Sequence, residues 1–288
     1  MSAFAQPGDV VRPATVAEAI AALADGEKQV VAGATWVMRA PVRGEESPRA
    51  AVLIGSIPAL TEVSISSDKA TLGAALSHSA LAKALADVPS LQGLVAAASR
   101  AANPPIRSVA TLGGNLCTAA FAAGDLAPQL LALDATVTYA TQAGAREMSM
   151  QQYLAERADL RGGLLTHVDV PCGAFRSAHA RLPLRKAGDY PVAIVSVAAE
   201  RGDEGSVRSA RIAVGSVEPT PRRWTGLEAA LEGHAFDPVT IAALTGALTG
   251  EFTGREGVEA PGWYRTKVLP VLVRQAFEAL AAQMAERT

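Results

Sequence analysis

Two glycine-centred stretches hold the residues best placed to do chemistry: Val30-Val31-Ala32-Gly33-Ala34-Thr35-Trp36 near the start and Thr111-Leu112-Gly113-Gly114-Asn115 further on. Glycine carries no Cβ, so backbone there can lie flush against a ligand, and exposed N–H groups can bind phosphate oxygens. A plain Gly-Gly turn with Asn in a left-handed conformation is the commoner source of an isolated GGN. A strand ending in Ala-Gly-Ala-Thr is likewise ordinary by itself. Two such stretches in one chain favour phosphate binding over two unrelated turns. Other reactive types are sparse. His78 has no titratable partner near it in the sequence, which favours a structural role over acid–base work. Asp125 precedes an apolar run, where it serves as a helix cap or as a ligand-binding carboxylate. No Ser/His/Asp set and no His/Cys/carboxylate cluster at metal-ligand spacing is present, so no catalytic or metal-binding residue is assigned.

The elements that must position these stretches are legible in outline. Thr15 with Glu18 forms a capping box ahead of an alanine-rich helix that Gly26 closes, and Gln29 to Ala32 is a short buried strand leading into the first glycine loop. Ala51 to Ile54 is the next strand. Residues 63–66 and 70–74 alternate as a hairpin, and 134–139 with 144–148 form another. Helices span about 79–86 and 91–100. The Pro171-Cys172-Gly173 segment marks a domain boundary. Beyond it, 194–199 and 207–215 pair around a Gly-Asp-Glu-Gly turn. The last helix carries Val268, Leu272, Ala276 and Leu280 at steps of four, an apolar stripe for the core.

Composition excludes several classes. The 288 residues are 49% hydrophobic and 19% charged, a globular balance with enough chain for two domains. A net charge of -2 gives no reason to expect nucleic acid or an anionic membrane. Two cysteines, Cys117 and Cys172, are too few for a disulfide scaffold or a four-thiolate cluster. Neither a secretory signal nor an apolar run long enough to span a membrane is seen, and a cytoplasmic location is expected.

The motifs also carry a resemblance. Ala32-Gly33-Ala34-Thr35-Trp36 and Thr111 to Asn115, the latter behind Asn103-Pro104-Pro105-Ile106-Arg107, resemble the two pyrophosphate loops in the FAD-binding (medium) subunit of molybdenum hydroxylases, the xanthine dehydrogenase and carbon monoxide dehydrogenase family. Leu72-Gly73-Ala74-Ala75-Leu76-Ser77-His78, Gly162 to Pro171, Lys186 to Ala193 and Val214 to Pro221 resemble further elements of it, so the likeness runs over the whole chain. It implies an α+β protein: a PCMH-type FAD-binding domain of two α/β subdomains over residues 1–172, then a small domain of antiparallel sheet plus helices over 173–288. The cofactor-binding set implied is Ala32, Gly33, Ala34, Thr35, Trp36, Asn103, Thr111, Gly113, Gly114, Asn115, Asp125, Leu165, Lys186 and Tyr190. Within it, Asp125 would bond the flavin's polar chain, Leu165 would pack on the isoalloxazine, and Tyr190 would lie near the ring. The family's flavin-contacting lysine falls on Leu182, so Arg181 or Lys186 takes its place. Ala34 and Trp36 depart from the family's second glycine and small polar residue.

The function implied is electron transfer by non-covalent FAD. Electrons would come from iron-sulfur clusters on a small subunit, in a complex whose large subunit holds the molybdenum cofactor. A heterotrimer or a dimer of heterotrimers is the expected assembly, and the acceptor is NAD, oxygen or a quinone. Two other readings compete: a stand-alone flavin oxidoreductase of the vanillyl-alcohol oxidase type, and a flavin-free scaffold. Cys117, the nearest thiol to the loops, reads as a packed small residue rather than a covalent tether.

Overall fold

The computed structural model describes residues 10–184, 190–202 and 205–285. The chain opens with β1 (Val10–Val11), α1 (Val16–Leu23), β2 (Gln29–Val31) and β3 (Ala51–Leu53). Thr15 caps α1 by accepting from the Glu18 N–H at 3.1 Å, while Glu18 reaches back to the Ala14 N–H at 2.8 Å. Such a cap contributes about 1 kcal/mol. Gly26, at φ 72°, ends the helix in the left-handed region that glycine enters without strain. The three strands form a parallel sheet in the order β1-β3-β2, which requires two crossovers: α1 supplies the one from β1 to β2, and residues 32–50 the one from β2 to β3.

A second sheet carries β4 (Val63–Ile65), β5 (Lys69–Gly73), β6 (Thr136–Thr141), β7 (Gly144–Ser149) and β8 (Gly163–Pro171), antiparallel in the order β4-β5-β8-β6-β7. Both expected hairpins are present as β4–β5 and β6–β7. Between β5 and β6 run α2 (His78–Ala84), α3 (Gln92–Arg100), α4 (Pro104–Arg107), α5 (Leu112–Cys117) and α6 (Leu126–Ala132); α7 (Met150–Glu156) follows β7. Leu81, Leu94, Leu112 and Leu130, each fully buried, join these helices to the sheet.

The last part is a four-stranded antiparallel sheet, β9 (Arg176–Pro183), β10 (Pro191–Arg201), β11 (Val207–Gly215) and β12 (Arg222–Arg223), in the order β12-β11-β10-β9. Four helices accompany it: α8 (Thr225–Leu231), α9 (Pro238–Leu248), α10 (Gly262–Lys267) and α11 (Leu269–Ala285). Leu272, Ala276 and Leu280 of the expected stripe are buried, and Val268 packs beside them. β10 is buried from Pro191 to Ala199 without alternation. The reason is cover on both faces: Val195 and Val197 belong to the core beneath α11, whereas Ala198 belongs to the core around α6. Arg222 and Arg223 are ion-paired, to Glu218 and to Glu228 with Asp134. This covered sheet packs β9 and β10 against α3 and α6, the helices on either side of the second glycine stretch in the chain.

Candidate functional site

A cavity of about 850 Å³ lies where the three sheets meet. Its volume is within the range that holds a large cofactor. Ala32, Gly33, Ala34, Thr35 and Trp36 line it from the turn after β2. Asn103, Thr111, Gly113, Gly114 and Asn115 line it from the α4–α5 region, and Asp125, Leu165 and Tyr190 complete the approach. The structure therefore brings thirteen of the fourteen expected residues onto one cavity; Lys186 lies outside the described residues.

The two glycine stretches differ in what they offer. In the first, the backbone N–H groups of Gly33, Ala34, Thr35 and Trp36 make no hydrogen bond among the described residues. Four successive unengaged donors on a turn beside a cavity form an anion-binding concavity. Ala34 sits at φ 59°, the left-handed conformation in which glycine is free of strain and alanine is not. In the second stretch the expected exposed donors are not there. Thr111 caps α5, so Gly113 and Gly114 stand in the first turn of a helix rather than in a turn of their own. The Gly113 N–H donates to the Ala74 carbonyl at 2.7 Å, that of Gly114 to Thr111 Oγ1 at 3.1 Å, and that of Asn115 to the Thr111 carbonyl at 3.0 Å. The glycines also owe their identity to chain packing. A Cβ on Gly33 would run into the Val109 carbonyl, and one on Gly113 would lie 2.9 Å from the Ala74 oxygen. Close approach of backbone to backbone, not of backbone to ligand, is what these two positions require.

The side chains divide between scaffold and cavity. Asn103 caps α4 by accepting from the Ile106 N–H at 3.0 Å, and Asn115 Oδ1 accepts from the Leu126 N–H at 3.3 Å, which fixes the start of α6. Asp125 precedes α6 but does not cap it. Its Oδ1 instead accepts from Arg181 Nε at 2.8 Å and lies 3.2 Å from His179 Nε2, whose Nδ1 is 2.9 Å from Ser196 Oγ. Asp125 is only 4% exposed, and its Oδ2 carries no hydrogen bond among the described residues. A carboxylate held this way presents one fixed acceptor to the cavity.

Five cations line the cavity, Lys28, Arg39, Arg157, Arg161 and Arg181, against the single carboxylate of Asp125 among the described residues. That excess suits a ligand with a dianionic centre. No motif in the sequence marks Arg157, Arg161, Arg39 or Phe121, and only topology assembles them at the cavity. Cys117 opens onto the cavity rather than being packed away, and Tyr153 Oη donates to its Sγ at 3.1 Å. Although the thiol faces the cavity, the protein around it desolvates it and raises it above the ordinary range, so the neutral form prevails and a nucleophilic tether is disfavoured. His78 is 4% exposed with both ring nitrogens unpartnered, and desolvation lowers it to about 4. A ring kept neutral in this way is structural at neutral pH.

Residues 3–173 match the family described as the FAD binding domain in molybdopterin dehydrogenase, and residues 177–280 match the CO dehydrogenase flavoprotein C-terminal domain. The chain belongs to this flavoprotein family. The xanthine dehydrogenase FAD-binding subunit of Escherichia coli O157:H7 is 27% identical over 284 residues, covering 94% of this chain and 95% of that one. The 6-hydroxypseudooxynicotine dehydrogenase complex subunit alpha of Paenarthrobacter nicotinovorans is 28% identical over 273 residues, covering 93% and 92%. Among solved structures, the reconstituted CO dehydrogenase from Oligotropha carboxidovorans superposes with a TM-score of 0.86 at 25% identity over 97% of this chain and 99% of that one. Quinoline 2-oxidoreductase from Pseudomonas putida 86 gives the same score at 24% identity, a likeness of fold. The flavoprotein thus has the α+β fold of these FAD subunits. The donor run at Gly33–Trp36, the cationic lining and the fixed carboxylate of Asp125 fit the diphosphate and hydroxylated chain of FAD.

Proposed function

We propose that the flavoprotein holds FAD non-covalently in this cavity and passes electrons from iron-sulfur clusters on a partner subunit to an external acceptor. The observation that carries the reading is the run of four unengaged N–H donors at Gly33–Trp36 in a cavity lined by five cations. Those donors bind the diphosphate, while Thr111, Gly113, Gly114 and Asn115 shape the opposite wall through a helix whose own amides are already engaged. Asp125 accepts from the flavin's hydroxylated chain, Leu165 packs on the isoalloxazine, and Asn103 and Tyr190 flank the ring. FAD, when bound, takes up and releases electrons singly or in pairs, which links one-electron donors to two-electron acceptors. The chain's own work is to bind, orient and shield: Arg181 and His179 hold Asp125 in place, and the burial of Leu164 and Leu165 keeps water from one side of the site.

The division into residues 1–172 and 173–288 is supported by the break between β8, ending at Pro171, and β9, beginning at Arg176. The partners are a large subunit with the molybdenum cofactor and a small iron-sulfur subunit, in a heterotrimer or a dimer of heterotrimers. No helix among the described residues is long and apolar enough to cross a membrane. Two free thiols, Cys117 and Cys172, agree with a reducing, cytoplasmic compartment.

Purification of the chain from its native host tests both parts. One flavin per chain, released by acid precipitation, together with a molybdenum protein and an iron-sulfur protein in the same complex, is the expected result. A colourless chain, or flavin that stays attached in acid, contradicts it.

A further inference from the structure

Trp36 stands where resembling sequences carry a small polar residue, yet its ring has a built setting. The Arg43 guanidinium lies over the indole, 3.9 Å from the centroid, and Arg43 Nη1 donates to the Trp36 carbonyl at 2.9 Å. On another side the Phe121 ring meets the indole with centroids 5.1 Å apart and planes at 44°. Phe121 in turn meets Tyr190 edge-on at 5.0 Å, and the Tyr190 hydroxyl accepts from Arg39 Nη1 at 2.9 Å. Three rings from three distant segments thereby form one continuous aromatic wall. All three line the cavity, and each is only half-buried. Trp224, the tryptophan of the C-terminal core, is by contrast sealed completely. An indole braced on one face by a guanidinium and left open toward a cavity is shaped for a planar aromatic ligand.

Resting on the FAD reading above, we propose that Trp36, Phe121 and Tyr190 form an aromatic wall that receives the isoalloxazine, with Arg43 and Arg39 as positioning residues that hold its two ends. The indole replaces the polar side-chain contact with a ring contact. The first loop then has two separate tasks. Its backbone takes the diphosphate, and its Trp36 side chain takes the ring system on the Tyr190 side.

Calorimetric titration of the flavin-free chain with FAD and with ADP, alongside the emission of bound flavin, tests this wall. Trp36→Ala weakens FAD about tenfold, the scale of one aromatic pairing, leaves ADP within twofold, and at least doubles the emission because a contacting indole quenches flavin. Trp36→Phe holds FAD affinity within threefold but shows the same rise in emission, which separates contact from folding. Arg43→Gln gives an intermediate loss that Arg43→Lys restores. Equal weakening of FAD and ADP in Trp36→Ala, or unchanged affinity and emission, overturns the wall. Absence of FAD binding by the unaltered chain would instead remove the FAD reading on which the wall rests.

Discussion

Gly33 illustrates how a residue can be found from sequence for the wrong physical reason. Its position in the site was legible, but the force that selects it is contact with the Val109 backbone, which lies 76 positions away and leaves no local mark. Gly33→Ala therefore loses roughly 3 kcal/mol of stability even without cofactor, at the upper end of overpacking costs, as read by thermal unfolding of the flavin-free chain. Ala34→Gly works in the opposite direction. It removes a left-handed penalty of about 1–2 kcal/mol against a glycine entropy cost of about 0.5–1 kcal/mol, so denaturant unfolding shows a small gain. His78 supplies a pH signature. Its folded value of about 4 lies below the ordinary 6.5, so the unfolded chain takes a proton first as pH falls. Stability contributed by the neutral ring is complete above pH 6.5 and drains away between 6.5 and 4, by on the order of 3 kcal/mol. The nearby groups that modulate this are Asp125, Arg107 and the Thr111 backbone. Melting curves of His78→Leu stay flatter over that window; an unchanged slope would refute the assignment.

At the scale of elements, the capping box before α1, the two hairpins and the apolar stripe of α11 were readable because each is a local pattern with a local cause. The helix α5 was not, since two glycines are poor helix formers and only the cap and tertiary bonds to Ala74 and Leu76 make them helical. The full length of β10 is not legible for a related reason: its hydrophobic run is explained by cover from α6 and α11, elements far away in sequence. Thr111→Ala tests the cap. Loss of its bond to the Gly114 N–H costs about 1 kcal/mol, and, because Thr111 also lines the cavity, FAD affinity falls with it in equilibrium titration.

Across the whole molecule, Asp125 couples the start of α6 to β9. It sits before α6, and both its side-chain partners here, His179 and Arg181, come from that strand. The sequence placed Asp125 near the ligand through resemblance; the partner strand was invisible because the pairing spans 54 and 56 positions. Asp125→Asn removes the charge that Arg181 Nε and His179 Nε2 meet in a buried setting, so stability falls by about 1–3 kcal/mol, and FAD retention on gel filtration drops as well. The cationic lining was equally hidden, for Arg157 and Arg161 reach the cavity from around α7. Of all these features, the unequal use of the two glycine stretches bears most directly on how FAD is held. Amide hydrogen exchange, resolved residue by residue with and without FAD, measures it. Gly33, Ala34, Thr35 and Trp36 exchange freely in the flavin-free chain and become protected when FAD is added, while Gly113, Gly114 and Asn115 are protected in both. Protection appearing at Gly113 and Gly114 instead, with Gly33 to Trp36 unaffected, would contradict this mode of binding.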